Sequence, residues 1–523
     1  MQGIWTTERI RAAEDRLLAV TPDGELMRRA AFGLAVHAAG MLAEHTGSVS
    51  GRRVTLLVGS GNNGGDALWA GAFLRRRNVA VSAILLKPER AHGPGLAALK
   101  RSGGKIVSLE DGPQWISRAD LVVDGIVGIS ARGPLRPDAA ALLEHVGSPV
   151  LAVDLPSGVD PDTGAVDGPA VVADRTVTFG ALKPVHALAP ASCGEVSLVD
   201  IGLRLSEPDL HRLDTADVAA AWPVPGPGDD KYSQGVVGVA AGSATYPGAA
   251  VLAAGAAVRA TSGLVRYAGH AADVVRGQWP EIIATGSVTD AGRVQAWVVG
   301  PGIGTGNEGR DVLRFVLGRG VPVCADADAT TIIARSPDVL DARDPDTPLV
   351  LTPHAGEFER LMGSPPGADR VAAARSAARK YDAVVLLKGH CTVVAAPDGR
   401  ALVNTPRGSW LATAGSGDVL SGLVGALLAS GLDPWLAAGA AAHVHSLAGS
   451  LAAGGAPTSA SGILAAVPDA IRSVRSYLYD VATALSTFYE HCPVLTSEGN
   501  TRASRIALCT ATRKVLQDGL GLI

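Results

Sequence analysis

The sequence predicts an α/β protein built as two consecutive domains, and three observations carry that prediction. Its 523 residues exceed what one typical domain holds. Hydrophobic residues make up 47% of the chain but aromatic residues only 4%, so the cores must be built from Ala, Val, Leu and Ile, which favours α/β layers. Short Val, Ile and Leu runs end repeatedly in Gly- or Asp-bearing turns that lead into helical stretches, the pattern of βα units around a mostly parallel sheet.

The formal net charge of −4, without a basic cluster, argues against nucleic acid or an anionic membrane as the principal partner and leaves small molecules. The five cysteines are far apart and never spaced CxxC, so neither a disulfide framework nor a structural zinc site is expected. The first 18 residues carry charges throughout and have no apolar signal-peptide core, so a cytoplasmic protein is expected. The uncharged stretch 236–258 is interrupted by Ser, Thr, Pro and Gly and reads as strand, loop and helix rather than a membrane span.

Residues 6–46 have apolar positions at helical spacing, which predicts two amphipathic helices broken near Pro22 and Gly24. Residues 53–58 are a strand that runs into GSGNNGGDALWAGAF, a Gly-rich turn and helix, and then a second strand. No Lys-Ser/Thr follows the glycines, so this is not a Walker loop. Strand 119–123 runs into Asp124, and strand 150–153 into Asp154, Leu155, Pro156 and Ser157. Carboxylates ending successive parallel strands gather at the sheet edge where ligands of open α/β folds bind, and Asn63, Asp124 and Ser157 offer hard oxygen donors to a cation there.

GSGNNGGD, DGIVG and AVDLPSGVD resemble the amino-terminal domain of bacterial bifunctional NAD(P)HX repair enzymes, over residues 4–203. The resemblance implies a Rossmann-like, three-layer epimerase that interconverts the R and S forms of hydrated NADH and NADPH. By motif, its substrate loops are Asn62, Asn63, Gly64, Gly65 and Asp66, with Gly128, Ile129, Ser130, Ala131, Arg132, Gly133, Pro134 and Asp154. A potassium ion would be held by Asn63, Asp124 and Ser157. Asp154 is the proton-transfer candidate. Lys183 is a second candidate that we read instead as a solvated strand-end lysine. Ala67 stands where the family usually has Gly.

Segment 206–229 is polar and closes on PVPGPG, so it is expected to be a linker. Residues 230–472 then repeat strand and polar turn: 235–241 before AGSATYPG, 296–299 before GPGIGTG, 322–325 before DADA, 349–351 before TPHAGE, 384–387 before KGH. In LATAGSGDVL, residues 411–420, small residues precede a helix that begins near Asp418, so backbone N–H groups there can cradle a phosphate. Asp418 is either a helix cap or the base that takes a proton from a hydroxyl attacking a phosphoryl group. His354 is read as a ligand contact and Cys391 as a small buried filler.

The order AGS, GPGIG, TPHAGE, KGH and AGSGD resembles the ribokinase-like family, most closely its ADP- or ATP-dependent NAD(P)HX dehydratases. The resemblance implies that Ala249, Gly302 and His354 contact hydrated nicotinamide nucleotide. It places ADP against Lys388, Gly389, His390, Cys391 and Thr392, and against Gly408, Ser409, Thr413, Ala414, Gly415, Ser416 and Gly417. Asp418 would face the substrate hydroxyl, with Mg2+ accompanying ADP or ATP. Ser416 replaces the more usual Thr, and Ser450 and Gly462 stand where acidic residues are common. The expected partners are therefore NADHX, NADPHX and ADP or ATP, in a homo-oligomer. The competing reading is a ribokinase-like small-molecule kinase with a non-catalytic nucleotide-binding amino-terminal module. Residues 473–523 match neither half and are read as an extension of unknown role.

Overall fold

Val- and Leu-rich runs of three to six residues form the strands, and most are buried along their length, as expected for a parallel sheet covered on both faces. The computed structural model describes residues 1–130, 132–406 and 408–491. Its strands are β1 (Gln2–Ile4), β2 (Arg53–Val58), β3 (Ala80–Leu85), β4 (Lys105–Val107), β5 (Leu121–Gly125), β6 (Val150–Val153), β7 (Arg175–Phe179), β8 (Glu195–Val199) and β9 (Leu210–Arg212). There follow β10 (Val236–Ala240), β11 (Leu264–Ala268), β12 (Ile283–Thr285), β13 (Ala296–Val299), β14 (Val323–Ala325), β15 (Leu349–Leu351), β16 (Val384–Leu387), β17 (Thr392–Ala395) and β18 (Ala401–Asn404).

The first sheet has the order β4-β3-β2-β5-β6-β7-β8 and is parallel throughout. Its strand order reverses between β2 and β5, and the crevice at such a switch point is where ligands bind. Register fixes what meets there: Val58 pairs with Gly125, Asp124 with Ala152, and Val153 with Val177. The expected helices are α1 (Thr7–Leu18) and α2 (Glu25–Thr46), and α3 (Asn62–Arg75) opens directly from the Gly-rich turn.

The second sheet has the order β1-β9-β18-β17-β16-β15-β14-β13-β10-β11-β12, with its switch point between β10 and β13. From β12 to β16 all pairs are parallel, whereas β16, β17 and β18 form an antiparallel meander. The helix Ser416–Ala429 is buried over most of its length. It lies close to its neighbours because it carries glycines at the contacts: a Cβ on Gly422 would come within 2.2 Å of the Ala253 carbonyl, in the helix Pro247–Ala260. Adding a methyl there forces the two helices apart, at about 1–3 kcal/mol.

The expected linker is corrected by the structure. Segment 206–229 contains β9 and the helix Thr215–Ala221. Leu210, Leu213, Val218, Ala219 and Trp222 are buried in the cores around the second sheet, which is why this polar-looking segment is ordered. Strand β1 also pairs with β9, so the first residues of the chain belong to the second sheet. Among the described residues, no helix is long and apolar enough to cross a membrane.

Candidate active sites

At the edge of the first sheet the chain turns sharply after β6, and Asp154 takes a left-handed φ of 70°. That conformation is costly for a non-glycine residue and is held in place by its surroundings. Asp154 Oδ1 accepts from Lys183 Nζ at 2.6 Å and from Thr178 Oγ1 at 2.9 Å. His186 Nδ1 accepts from the Lys183 amide, which assigns the proton to Nε2 and lets it donate to the Asp154 carbonyl at 2.8 Å. Burial, and then the nearby Lys183 charge, push His186 down to about 4, so it stays neutral. Lys183 is 1% exposed, so it is a buried ion-pair partner and not the solvated lysine expected from sequence.

A cavity of about 380 Å³ opens in front of Asp154, lined by Asn62, Asn63, Asp66, Gly128, Ile129 and Ser130 among others. The expected substrate loop is divided. Arg132, Gly133 and Pro134 line a separate cavity of about 290 Å³ with Lys87, Arg90 and Arg136. Ala131 lies outside the described residues. Arg132 is also tied to Asp160 and Asp162. Burial, then Asp154 and Glu14, push Asp66 well above the carboxylate range.

Behind this cavity Asp124 is fully buried and accepts from Ser157 Oγ at 2.7 Å, from the Ser157 amide at 2.8 Å and from the Ile126 amide at 3.2 Å. No lysine or arginine pairs with it among the described residues, and burial pushes it up to about 6. The Asn63 amide donates to the carbonyls of Val127 and Val153, which leaves its Oδ1 facing Gly128. Any Cβ on Gly128 would lie 2.5 Å from that oxygen, so only glycine fits. Asp124 and Ser157 are thus bonded to each other, and Val127 links them to Asn63, its amide donating to Ser157 Oγ and its carbonyl accepting from the Asn63 amide.

At the edge of the second sheet Asp418 is the third residue of the helix Ser416–Ala429. The N-cap is Gly415, and no side chain caps the helix, so Asp418 is not the cap. Burial, then Asp326, push the Asp418 carboxyl up to about 7; Lys388 opposes this and Asp328 and Glu357 add to it. Lys388 is directed elsewhere, with Nζ 2.7 Å from Asp326 Oδ1 and 3.8 Å from Glu357 Oε2. Burial opposes the Lys388 charge, but the two carboxylates outweigh it and hold the ammonium above the usual lysine range. The same pairing, with Ser421 Oγ donating to Asp326 Oδ2 at 2.6 Å, outweighs burial and keeps Asp326 ionised.

The other expected residues are distributed unevenly. Ala249 and Gly302 adjoin at the switch point, beside the exposed ring of Tyr246. His354 caps the helix Ala355–Met362: its Nδ1 accepts from Gly356, and its own amide donates to Glu357. That is a structural role, with the Nε2 edge 3.4 Å from Glu357. Cys391 is buried as expected, its Sγ donating to the carbonyls of Ala187 and Leu188, so its side chain faces the amino-terminal half. Gly389 and His390 are exposed at the β16–β17 turn between Lys388 and Thr392, and Gly408, Ser409 and Ala414 are exposed in the loop before Asp418. Thr413 precedes the helix, and Ser416 Oγ bonds His445 Nε2 at 3.1 Å. Sequence reasoning missed Asp326, Glu357, Ser421 and Tyr246, although the acidic residues stand in the DADA and TPHAGE turns that it did mark.

Fold and sites together define an α/β enzyme with two separate centres. Residues 237–483 match the family model described as NAD(P)H-hydrate dehydratase, and residues 23–185 the one described as YjeF-related protein N-terminus. The chain is 58% identical over 436 residues to the bifunctional NAD(P)H-hydrate repair enzyme Nnr of Mycobacterium tuberculosis (strain CDC 1551 / Oshkosh), covering 83% of this chain and 90% of that one. It is 55% identical over 483 residues to the enzyme of the same name from Mycobacterium leprae (strain TN), covering 91% and 100%. The chain belongs to the family of bifunctional NAD(P)H-hydrate repair enzymes. It is thus an epimerase of (R)- and (S)-NAD(P)HX fused to a dehydratase that restores NAD(P)H. It also resembles the crystal structure of the ADP/ATP-dependent NAD(P)H-hydrate dehydratase of Bacillus subtilis, co-crystallised with ATP and Mg2+, at 26% identity and TM-score 0.46, covering 51% of this chain and 99% of that one. Residues 464–523 match a third model, the DALR anticodon binding domain. This is the stretch read from sequence only as an extension. The helix Ala460–His491 enters it, and its later residues lie outside the described ones.

Proposed function

We propose that Asp418 is the base of the dehydratase and Asp154 the proton-transfer group of the epimerase. In the dehydratase, hydroxide is a poor leaving group from the hydrated ring. Asp418 takes the ring hydroxyl's proton as that oxygen attacks the terminal phosphoryl group of ADP or ATP; the ring nitrogen then expels phosphate and NAD(P)H is restored. The turn 413–417 and the start of the Asp418 helix stabilise the transferred charge, with the 388–392 turn and residues 408 and 409 holding the nucleotide. Mg2+ would arrive with the nucleotide and would neutralise phosphate charge there. Ala249, Gly302 and the exposed His354 edge face the nicotinamide nucleotide.

At the epimerase, Asn63 Oδ1, Asp124 and Ser157 suit potassium: all are oxygen donors, and the buried carboxylate has no basic partner among the described residues. The ion would balance that charge and fix the 126–130 loop against Asn63. Residues 62–66, 128–130 and Asp154 bind the hydrated nicotinamide of NAD(P)HX in the cavity in front of Asp154.

The observation that carries this reading is the Asp418 carboxyl, without an ion pair among the described residues and pushed up to about 7, while the adjacent lysine is bound to Asp326. The test is to mix NADHX with the protein and ADP or ATP and follow reduced-nicotinamide absorbance together with phosphate release. Return of NADH with about one phosphate per NADH is expected. A stable phosphorylated alcohol without NADH would exclude the mechanism.

A further inference from the structure

The cavity in front of Asp154 is walled by three carboxyl groups, from three separate elements: Glu14 on α1, Asp66 on α3 and Asp154 after β6. Only Asp154 has a described partner, because Lys183 and Thr178 occupy its Oδ1. Glu14 and Asp66 have no hydrogen bond or ion pair among the described residues. Asp66 is 6% exposed and what it exposes faces the cavity, so its bonding capacity is left for a ligand. Helix α1 is placed firmly at this wall: the amide and hydroxyl of Thr7 both donate to Asp162, at 2.8 and 2.7 Å, and those of Thr6 to Asp209.

We propose that Glu14 is a second catalytic residue of the epimerase, the acid that serves the ring nitrogen while Asp154 serves the ring hydroxyl. The proposal rests on the epimerase role of this cavity and on Asp154 as its base. The hydrated carbon carries both hydroxyl and ring nitrogen, so its configuration is lost when the carbon–nitrogen bond opens. Asp154 takes the hydroxyl proton, the carbon–oxygen double bond forms, and the carbon–nitrogen bond breaks with its electron pair passing to nitrogen. Glu14 gives nitrogen a proton. Rotation about the adjacent carbon–carbon bond presents the other face of the carbonyl; nitrogen attacks it, Glu14 recovers its proton, and Asp154 returns the first proton to oxygen. Both carboxyls end as they began, and no other reactant is consumed.

This division of labour needs one ionised and one protonated carboxyl in a single cavity. Lys183 Nζ lies 2.6 Å from Asp154 Oδ1. Burial, then Asp154, push Glu14 up to about 7; Lys183 and Arg11 oppose this and Asp15 adds to it, with Asp66 and His92 completing the charged or titratable groups around the cavity. Glu14, longer than Asp66 and only half-buried, is also the one able to exchange its proton with solvent.

The test uses the full-length chain and separated NADHX epimers, with dehydration of the S epimer as a control for folding. Glu14→Gln is expected to lower kcat for interconversion by roughly 100-fold, with KM within about twofold. It should also abolish the decline in rate as pH rises through about 7, and leave dehydration intact. A kcat within about threefold of the unmutated chain, or retention of the alkaline decline, overturns the proposal. If Glu14→Gln also loses dehydration, Glu14→Asp decides: a displaced alkaline limb with partial activity supports the proposal, and an unmoved limb refutes it. An unmutated chain that does not accelerate interconversion at all would instead remove the epimerase role on which the proposal stands.

Discussion

Asp154 and Asp418 occupy equivalent places, each in the turn region at the carboxyl edge of a largely parallel sheet, yet their neighbours give them different electrostatic settings for the same first step, removal of a proton from the ring hydroxyl. The lysine beside Asp154 is buried and bonds it directly, so that side chain is fixed against its cation. The lysine beside Asp418 bonds Asp326 instead, so Asp418 keeps company with other carboxylates and its affinity for a proton rises to about 7. The lesson is that a lysine near an aspartate does not define the aspartate's chemistry until its hydrogen bonds are assigned. One residue type thus yields a held base and a tunable one.

The largest effect that would break this comparison concerns Asp418. Its replacement by Asn should lower dehydratase turnover roughly 1,000-fold, and the unmutated enzyme should lose rate as pH falls through about 7, where the base becomes protonated. A flat profile between pH 6 and 8 would contradict the assignment. Next is Lys183→Met, which leaves Asp154 buried without its cation; a loss of about 3 kcal/mol or more is expected in the urea unfolding of the first sheet, with interconversion abolished. Native-like stability in that variant would mean the pair is dispensable.

A smaller effect has the opposite sign. Asp418 binds its proton more tightly folded than unfolded, so between its ordinary carboxyl range and pH 7 the folded state holds more protons and stability falls as pH rises. Asp418→Asn should therefore stabilise the carboxy-terminal half by on the order of 2 kcal/mol at pH 8 and by little at pH 4, as thermal melts at the two pH values would show. Asp124→Asn is the mildest: interconversion should fall about tenfold and no longer respond to added potassium, whereas dehydration should respond as before. An unchanged potassium response would remove Asp124 from the ion site.

Much of this was legible because strand ends in parallel sheets are local signals. The runs before Asp124, Asp154, Asp326, His354 and Lys388 were each marked by β-branched residues and a polar turn, and pairing then brought them to two edges. The order of motifs added the chemistry. What escaped depends on contacts between residues far apart in sequence. Lys183 looks exposed until the Asp154 turn folds over it, 29 residues away. His354 reads only as a ligand contact until its amide and ring are seen closing a capping box with Glu357, a second task that leaves its Nε2 edge exposed. Glu14 sits on an amphipathic helix whose polar side reads as solvent-facing, yet the first sheet's cavity receives it. Segment 206–229 hid a strand and a helix because only a few spaced apolar residues anchor them.

The most direct measurement gives the full-length chain pure (R)-NADHX or pure (S)-NADHX, with nucleotide present or absent, and compares Asp154→Asn with Asp418→Asn. Two separate centres with one essential carboxylate each predict reciprocal losses: Asp154→Asn still dehydrates the S epimer but no longer converts R to S, whereas Asp418→Asn interconverts both and restores no NADH. A variant that loses both activities while remaining folded, or one that loses neither, would contradict the account.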